Sequence, residues 1–323
     1  MLIDNCVGTI EEITNNDSIK EQGSWLFEIL IKLYPIFHNF ISKNPDQFLG
    51  GSINNLKYID LMQKTILRII YISKNNQSEL DEIVAIKLII DIIECLKNKI
   101  DNAFQELLSG LIFELNKAQM KELKNKILIG ISISFYYSSK LTCDILIKLN
   151  CHEHYFSELL NLEKKIRNSK DMKRTLIGIC FLLHNEQFPE ILRDKIPSLL
   201  LTCYNLFILL QAKRQKKTQT NLLDIDNKLD TEVIINKMNS NLDKEEIDDE
   251  DDENDSDYEY EKDEILVECE ELEYPTQLLQ IDELKLYKEL LLYYKVNNSL
   301  VYNSFIASLD TEKKSNIEQL ICQ

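Results

Sequence analysis

The sequence predicts an all-α fold, a HEAT- or armadillo-like α-solenoid of stacked antiparallel helix pairs. Apolar residues recur at helical spacing through almost all of the 323 residues. Glycine and proline are scarce, at 7 and 5 residues, whereas sheet-rich folds use many of both in tight turns. Predicted helices recur about every 20 residues, and two of them make a unit of about 40, the size of a HEAT or armadillo unit. The pattern alone leaves a plain helical bundle open as the alternative.

Each predicted helix follows from its own apolar stripe. Pro35 should bend or break the first helix, and Asn44-Pro45 should end that element. Asp171 and Asp310 are suitable N-caps, and Pro197 suits a first helical turn, where its missing N–H costs nothing. The helices are predicted over residues 25–37, 56–70, 80–99, 104–115, 120–137, 141–149, 154–166, 171–183, 190–195, 197–213, 279–291, 301–309 and 310–321.

The negative charge of the chain is concentrated in one stretch. The net charge is −17, and residues 243–273 hold 19 acids and two lysines, so the other 35 acids balance the other 35 bases. A charge block of this kind repels itself too strongly to pack. We therefore expect a helical solenoid over residues 1–217, an acidic disordered loop over residues 218–274, and C-terminal helices over residues 275–323 that pack on the solenoid.

The acidic loop is the strongest candidate for a binding site. A flexible polyanion attracts basic proteins over about 8–10 Å, the Debye length, and raises their encounter rate. The alternative is that the stretch is a solvated linker without a specific binding role. Direct nucleic-acid binding is disfavoured, because phosphate recognition needs clustered Lys and Arg. The residues predicted to bind basic cargo are Asp248, Asp249, Glu250, Asp251, Asp252, Glu253, Asp255 and Asp257.

One basic cluster precedes the acidic loop, at residues 213–217 with the sequence KRQKK. We expect it to close the helix over residues 197–213, because cations are favoured at the negative end of the helix dipole. A localisation signal is the alternative interpretation.

Cysteine and histidine usage favours neither a metal nor a catalytic site. The eight cysteines include no CxxC pair, which predicts reduced thiols in cytosol or nucleus, most of them in the core. The segment Cys151-His152-Glu153-His154 has ligand residue types, but no second cluster accompanies it. His38 and His184 are isolated in the sequence. We expect no cofactor, no metal and no enzymatic activity; a hydrolase using Cys151 with His152 or His154 is the enzymatic alternative.

Membrane insertion and secretion are not predicted either. The longest uncharged run, residues 196–212, has 17 residues, whereas a spanning helix needs about 20. The first six residues carry an early Asp4 and no basic stretch, unlike a secretory signal.

Several stretches, in collinear order, carry a resemblance to a known family. The clearest are KDMKRTLIGIC at residues 170–180 with FPEIL at 188–192, the apolar helix of residues 196–214, and the tail of residues 282–312 with its SLVYNSF motif. A weaker one is LYPIFHNF at residues 33–40. Together they resemble the carboxy-terminal third of nuclear transport receptors of the importin-β (karyopherin) superfamily, in the importin seven/eight branch.

The resemblance implies a HEAT solenoid that binds protein cargo for import into the nucleus. The implied partners are basic cargo proteins, such as histones and ribosomal proteins, and the Phe-Gly repeat proteins of the nuclear pore; the implied location is cytoplasm and nucleus, with shuttling at the nuclear envelope. Family members bind Ran near their amino terminus, and nothing in this sequence corresponds, so we expect Ran binding only if an amino-terminal half exists. The alternative is a helical-repeat scaffold or an acidic, histone-chaperone-like protein without a transport role.

Overall fold

Twelve α-helices and one short hairpin make up the computed structural model, which describes residues 24–72, 79–185, 188–234 and 276–322. This confirms the prediction of an all-α protein. The helices are α1 (Ser24–Lys43), α2 (Pro45–Gly50), α3 (Tyr58–Ile72), α4 (Glu79–Cys95), α5 (Asp101–Leu115), α6 (Lys121–Lys148), α7 (His152–Leu159), α8 (Ser169–Leu183), α9 (Ile196–Ile234), α10 (Glu283–Asn297), α11 (Ser299–Ala307) and α12 (Thr311–Cys322). Short 3₁₀ helices cover Leu162–Lys164, Glu190–Lys195 and Leu278–Gln280.

The hairpin joins α2 to α3 and was not predicted. Its strands, β1 (Ser52–Ile53) and β2 (Leu56–Lys57), are antiparallel. Asn54 and Asn55 between them have φ values of 50° and 66°. Positive φ at both central residues is what a two-residue hairpin turn of the primed type requires, and Asn tolerates it. The sequence lacks the stronger Asn-Gly signal, so the pattern around Leu56 was assigned to the next helix.

Two compact units are distinguished, one of residues 1–207 with 273–323 and the other of residues 208–272. The described part of the second unit is the end of α9, from Ile208 to Ile234. All tertiary contacts below belong to the first unit.

Five helices contact one another in a row in the first unit, in the order α1, α4, α6, α8 and α10. The helices between them in the chain lie beside this row: α3 contacts α4 and α5, and both α5 and α7 contact α6. Helices α4, α6 and α8 begin at residues 79, 121 and 169, which are intervals of 42 and 48 residues. The chain thus returns to the row at each of these intervals.

The middle of the row is the core. Burial is unbroken over residues 82–94 of α4, 126–137 of α6 and 171–180 of α8. Helices α6 and α8 come so close that a Cβ added at Gly178 would clash with the backbone carbonyl oxygen of Ser132. Glycine is required there by the close approach of two backbones.

Helix α6 contains a kink that divides it as the sequence predicted. Ser138 has extended φ and ψ of −157° and 100° inside the helix, and its Oγ accepts a hydrogen bond from the Leu141 amide at 3.4 Å. Extended dihedrals and a side-chain acceptor are the attributes of an N-cap. Ser138 therefore starts a second helical segment, close to the predicted one over residues 141–149.

One predicted helix end is confirmed, and two predicted helices are corrected. Helix α1 continues through Pro35 to Lys43 and so ends at the predicted Asn44-Pro45; Phe37 and Ile41 after the proline are fully buried. The helix predicted over residues 154–166 stops at Leu159, and the stretch of residues 190–195 is a 3₁₀ helix.

Helix α9 also differs from its prediction, since it continues past residue 213 to Ile234. The sequence has no Gly or Pro between residues 198 and 274 that would stop it. The cluster at residues 213–217 therefore lies within a helix and does not close one. Residues 218–234, which were predicted to belong to the acidic loop, are helical. Pro197 does lie in the first turn of α9, as predicted.

N-cap assignments were half right. Asn168, not Asp171, caps α8, with its side chain accepting from the Lys170 amide at 2.7 Å. Asp310 caps α12 as predicted, accepting from the Lys313 amide at 2.8 Å. This hydrogen bond holds the pKa of Asp310 below its ordinary value, with the Lys313 charge acting in the same direction.

One stretch of the described residues, Glu190–Gln215, is long and apolar enough to cross a membrane by length and composition. The prediction from the longest uncharged run did not include this stretch, because charged residues lie near both of its ends. Half of its most apolar window is buried inside the protein, and buried core helices meet the same criterion.

Candidate functional site

The acidic residues predicted to bind basic cargo, from Asp248 to Asp257, lie outside the described residues. In the basic cluster, Lys213 of α9 is half-buried and Arg214 is exposed. The sites that the structure itself presents are therefore different ones: a set of buried ion pairs, a docked tail and an exposed apolar surface.

Four charged side chains form a buried ion chain across α4, α6 and α8. Arg174 Nε lies 2.9 Å from Glu94 Oε2, and Arg174 Nη1 lies 3.3 Å from Asp171 Oδ1. Lys126 Nζ completes the chain at 2.7 Å from Asp171 Oδ2. All four residues are buried. Three helices of the row are thus tied together by opposite charges in a low-dielectric interior.

Asp171 is the centre of this ion chain. Burial alone would raise the pKa of its carboxyl group. The positive charges and hydrogen bonds of Lys126 and Arg174 outweigh burial, and the pKa lies below its ordinary value. The carboxylate therefore stays ionised. Asp171 lies inside the first turn of α8 rather than before it, and its two oxygens contact Lys126 and Arg174.

Two further buried pairs lie at either side of the ion chain. His38 Nδ1 of α1 lies 2.9 Å from Asp91 Oδ2 of α4, so His38 is not isolated. Lys173 Nζ of α8 lies 3.1 Å from Glu283 Oε2 of α10 and donates to the Leu279 carbonyl oxygen. A His–Asp contact therefore joins α1 to α4, and ion pairs join α4 to α8, α6 to α8 and α8 to α10. Charged residues inside the apolar stripes of these helices could have indicated buried ion pairs. The spacing of residues in one helix does not show which other helix holds the partner.

The tail of residues 276–322 is docked by tyrosine hydroxyls. Tyr287 Oη donates to the Leu200 carbonyl oxygen at 3.2 Å, and Tyr294 Oη donates to the Leu183 carbonyl oxygen at 3.0 Å. Leu183 ends α8, so its carbonyl has no partner within the helix. Tyr294 satisfies a group that the fold would otherwise leave unpaired.

Exposed apolar side chains lie at the junction of α10 and α11. Val296 and Leu300 are 78% and 83% exposed, and Leu292 and Tyr293 are about half as exposed. Leu292, Tyr293 and Val296 lie in the last turns of α10, and Leu300 lies in the first turn of α11. Contiguous exposed apolar residues are typical of a surface that contacts other proteins.

The segment of residues 151–154 was the sequence candidate for a metal site or a Cys–His catalytic pair. Cys151 Sγ donates to the Leu149 carbonyl oxygen at 3.3 Å and receives the Asn116 side-chain amide at 3.4 Å. His152 is buried, and its Nε2 is 4.0 Å from Glu153 Oε1; His154 is exposed. Within the described ranges no three His, Cys, Asp or Glu side chains are placed to hold a metal ion.

Cys95, Cys143, Cys151, Cys180 and Cys203 are free thiols, and all of these but Cys95 are buried, as predicted for core residues. Burial raises the pKa of the Cys143 thiol to about 12, with Asp144 adding to the effect. Burial raises the pKa of Cys203 as well, next to Cys180. These thiols stay protonated and unreactive near neutral pH.

The chain matches no family model, no curated protein and no solved structure.

Proposed function

We propose that this chain is a HEAT-type segment of a nuclear transport receptor that binds basic proteins and carries them into the nucleus. The observation that carries the proposal is the separation of charge: a body with 35 acids and 35 bases beside a stretch of 31 residues that holds the whole net charge of −17. Such a polyanion concentrates basic proteins near the helical body and raises their association rate by about 10- to 1,000-fold.

The arrangement of the helices supports the proposed solenoid. Row helices that return after 42 and 48 residues are what stacked helix pairs of a HEAT type would produce. The collinear likeness of residues 170–180, 196–214 and 282–312 to importins points in the same direction. Binding is favoured over catalysis because the thiols of Cys143, Cys151, Cys180 and Cys203 are buried in the helical packing.

The role of the acidic stretch is tested with a variant that keeps the chain length. Asp→Asn and Glu→Gln substitutions at the eight predicted cargo-binding residues remove eight negative charges. Binding of purified histones, followed by surface plasmon resonance, should become slower in association and less sensitive to salt. Unchanged association and salt dependence in this variant would refute the role given to these acids.

Nuclear-pore binding separates the transport receptor from the alternative, an acidic scaffold or histone chaperone without a transport role. A transport receptor should retain a Phe-Gly repeat peptide on immobilised beads, and a chaperone should not. On the described surface the apolar residues of α10 and α11 are the place to test this, with V296D and L300D. Histone binding that persists without any Phe-Gly binding would favour the chaperone.

A further inference from the structure

The ammonium group of Lys97 lies against two aromatic rings. Lys97 Nζ is 3.7 Å from the centroid of the Tyr136 ring and 4.5 Å from that of the Phe181 ring. The two rings are 5.1 Å apart and nearly perpendicular, at 85°. They belong to α6 and α8, and Lys97 belongs to the turn after α4. The rings thus form two walls of a site that suits a cation.

The walls are held in place independently of Lys97. Tyr136 is buried at the end of the first segment of α6, directly before the kink. Ser139 Oγ donates to the Phe181 carbonyl oxygen at 2.9 Å, which fixes α8 to the same kink. Phe181 is only half-buried, so one wall borders solvent. The site would keep its form if the lysine left it.

Lys97 is held in this site by the two rings. In the parts of the chain that the structure describes, its ammonium contacts the two rings and no carboxylate. Burial lowers the pKa of Lys97, so its charge is held there at a cost. An ammonium is strongly hydrated and regains its hydration on leaving. A guanidinium is more weakly hydrated and stacks on aromatic faces.

We propose that Tyr136 and Phe181 form a binding site for an arginine side chain of a basic partner protein, and that Lys97 occupies this site in the free protein. The site lies in the helical body and is additional to the acidic stretch. The proposal rests on the proposed function in one respect, that the partners are basic proteins. Binding requires Lys97 to swing out, so the lysine acts as an internal competitor.

Removal of the competitor provides the test. The probe is a fluorescein-labelled peptide with four arginines separated by glycines, and its Kd for the full chain is measured by fluorescence anisotropy at physiological ionic strength. K97A should bind the probe more tightly by a factor of about 3 to 10. The matched control is K140A, which removes the same charge from an exposed lysine four residues after Tyr136 and should leave the Kd near that of the wild type.

Two further measurements assign the gain to the rings. In the double variant K97A/F181L the gain should disappear, with the urea midpoint checking that the fold is retained. A peptide with citrulline in place of arginine keeps the shape and loses the charge, and K97A should then show no gain. Equal effects of K97A and K140A, or a gain that survives with citrulline, would overturn the proposal. Neither outcome would refute the proposed function, because that function is tested separately with the variant whose acidic residues are replaced by Asn and Gln.

Discussion

Arg174 of α8 and Glu94 of α4 form an ion pair of 2.9 Å although 80 positions separate them in the chain. The same guanidinium contacts Asp171 one turn away in its own helix. Arg174 is therefore the residue through which α4 and α8 are joined. Replacing it would leave the Glu94 carboxylate buried and without this partner.

Arg174→Met should destabilise the fold by about 3–5 kcal/mol, because one charge of a buried pair is removed and the other stays. Urea unfolding followed by circular dichroism measures the change in free energy. Arg193→Met is the control, since Arg193 forms an exposed pair with Glu190, and exposed pairs contribute little. Equal midpoints for the two variants would contradict the assigned importance of the ion chain.

Gly178→Ala should lower the free energy of unfolding by about 1–3 kcal/mol, because the new Cβ would clash with a backbone carbonyl oxygen that cannot rotate away. Helices α6 and α8 would have to move apart. Gly50→Ala is the control, since an added Cβ there meets nothing within 4 Å. Thermal unfolding compares the two, and a neutral Gly178→Ala would mean that these helices are less tightly apposed than described.

The two tail tyrosines should differ in their contributions. Tyr294→Phe leaves the last carbonyl of α8 unpaired and should cost about 1–3 kcal/mol, whereas Tyr287→Phe removes a single neutral hydrogen bond and should cost about 0.5–1.5 kcal/mol. Limited proteolysis of the tail offers a second measurement. A larger effect of Tyr287→Phe would contradict the capping role of Tyr294.

The stability of the protein should fall in acid partly through Asp171. Its folded-state pKa lies below the ordinary value of 3.8, so its ion pairs stabilise the fold at higher pH, and this contribution is lost as the pH falls through the folded-state pKa. Urea midpoints between pH 2 and pH 6 should decline less steeply for Asp171→Asn than for the wild type. The pKa values of Glu153 and Glu158 are lowered as well, so the comparison between the variants, and not the wild-type curve alone, is the test. Parallel curves would show that Asp171 does not titrate in this range.

Helical periodicity was enough to predict the all-α fold and most helices, because burial of one apolar stripe repeats in each of them. It did not predict where α9 ends, since helix-compatible polar residues continue the helix without any stop signal. The hairpin at Asn54 and Asn55 was missed for the opposite reason: it is too short to show a period. The N-cap prediction for Asp310 was right, because one local hydrogen bond to the backbone determines where that helix begins.

The buried pairs could not be predicted in the same way. Asp171, three residues before Arg174, is as consistent with an N-cap as with a buried anion, and only the position of Lys126 on another helix decides between them. The two-ring site at Lys97 likewise depends on the approach of α6 and α8. Sites made of side chains from three helices follow from tertiary packing, which the periodicity of one chain does not contain.

The ion chain of Glu94, Arg174, Asp171 and Lys126 also has a consequence for how the sequence can change over evolution. No single one of these positions can lose its charge without leaving an opposite charge buried. In related proteins we expect the four positions to vary together, with acid and base exchanged or all four replaced by apolar residues, while the apolar residues around them drift independently.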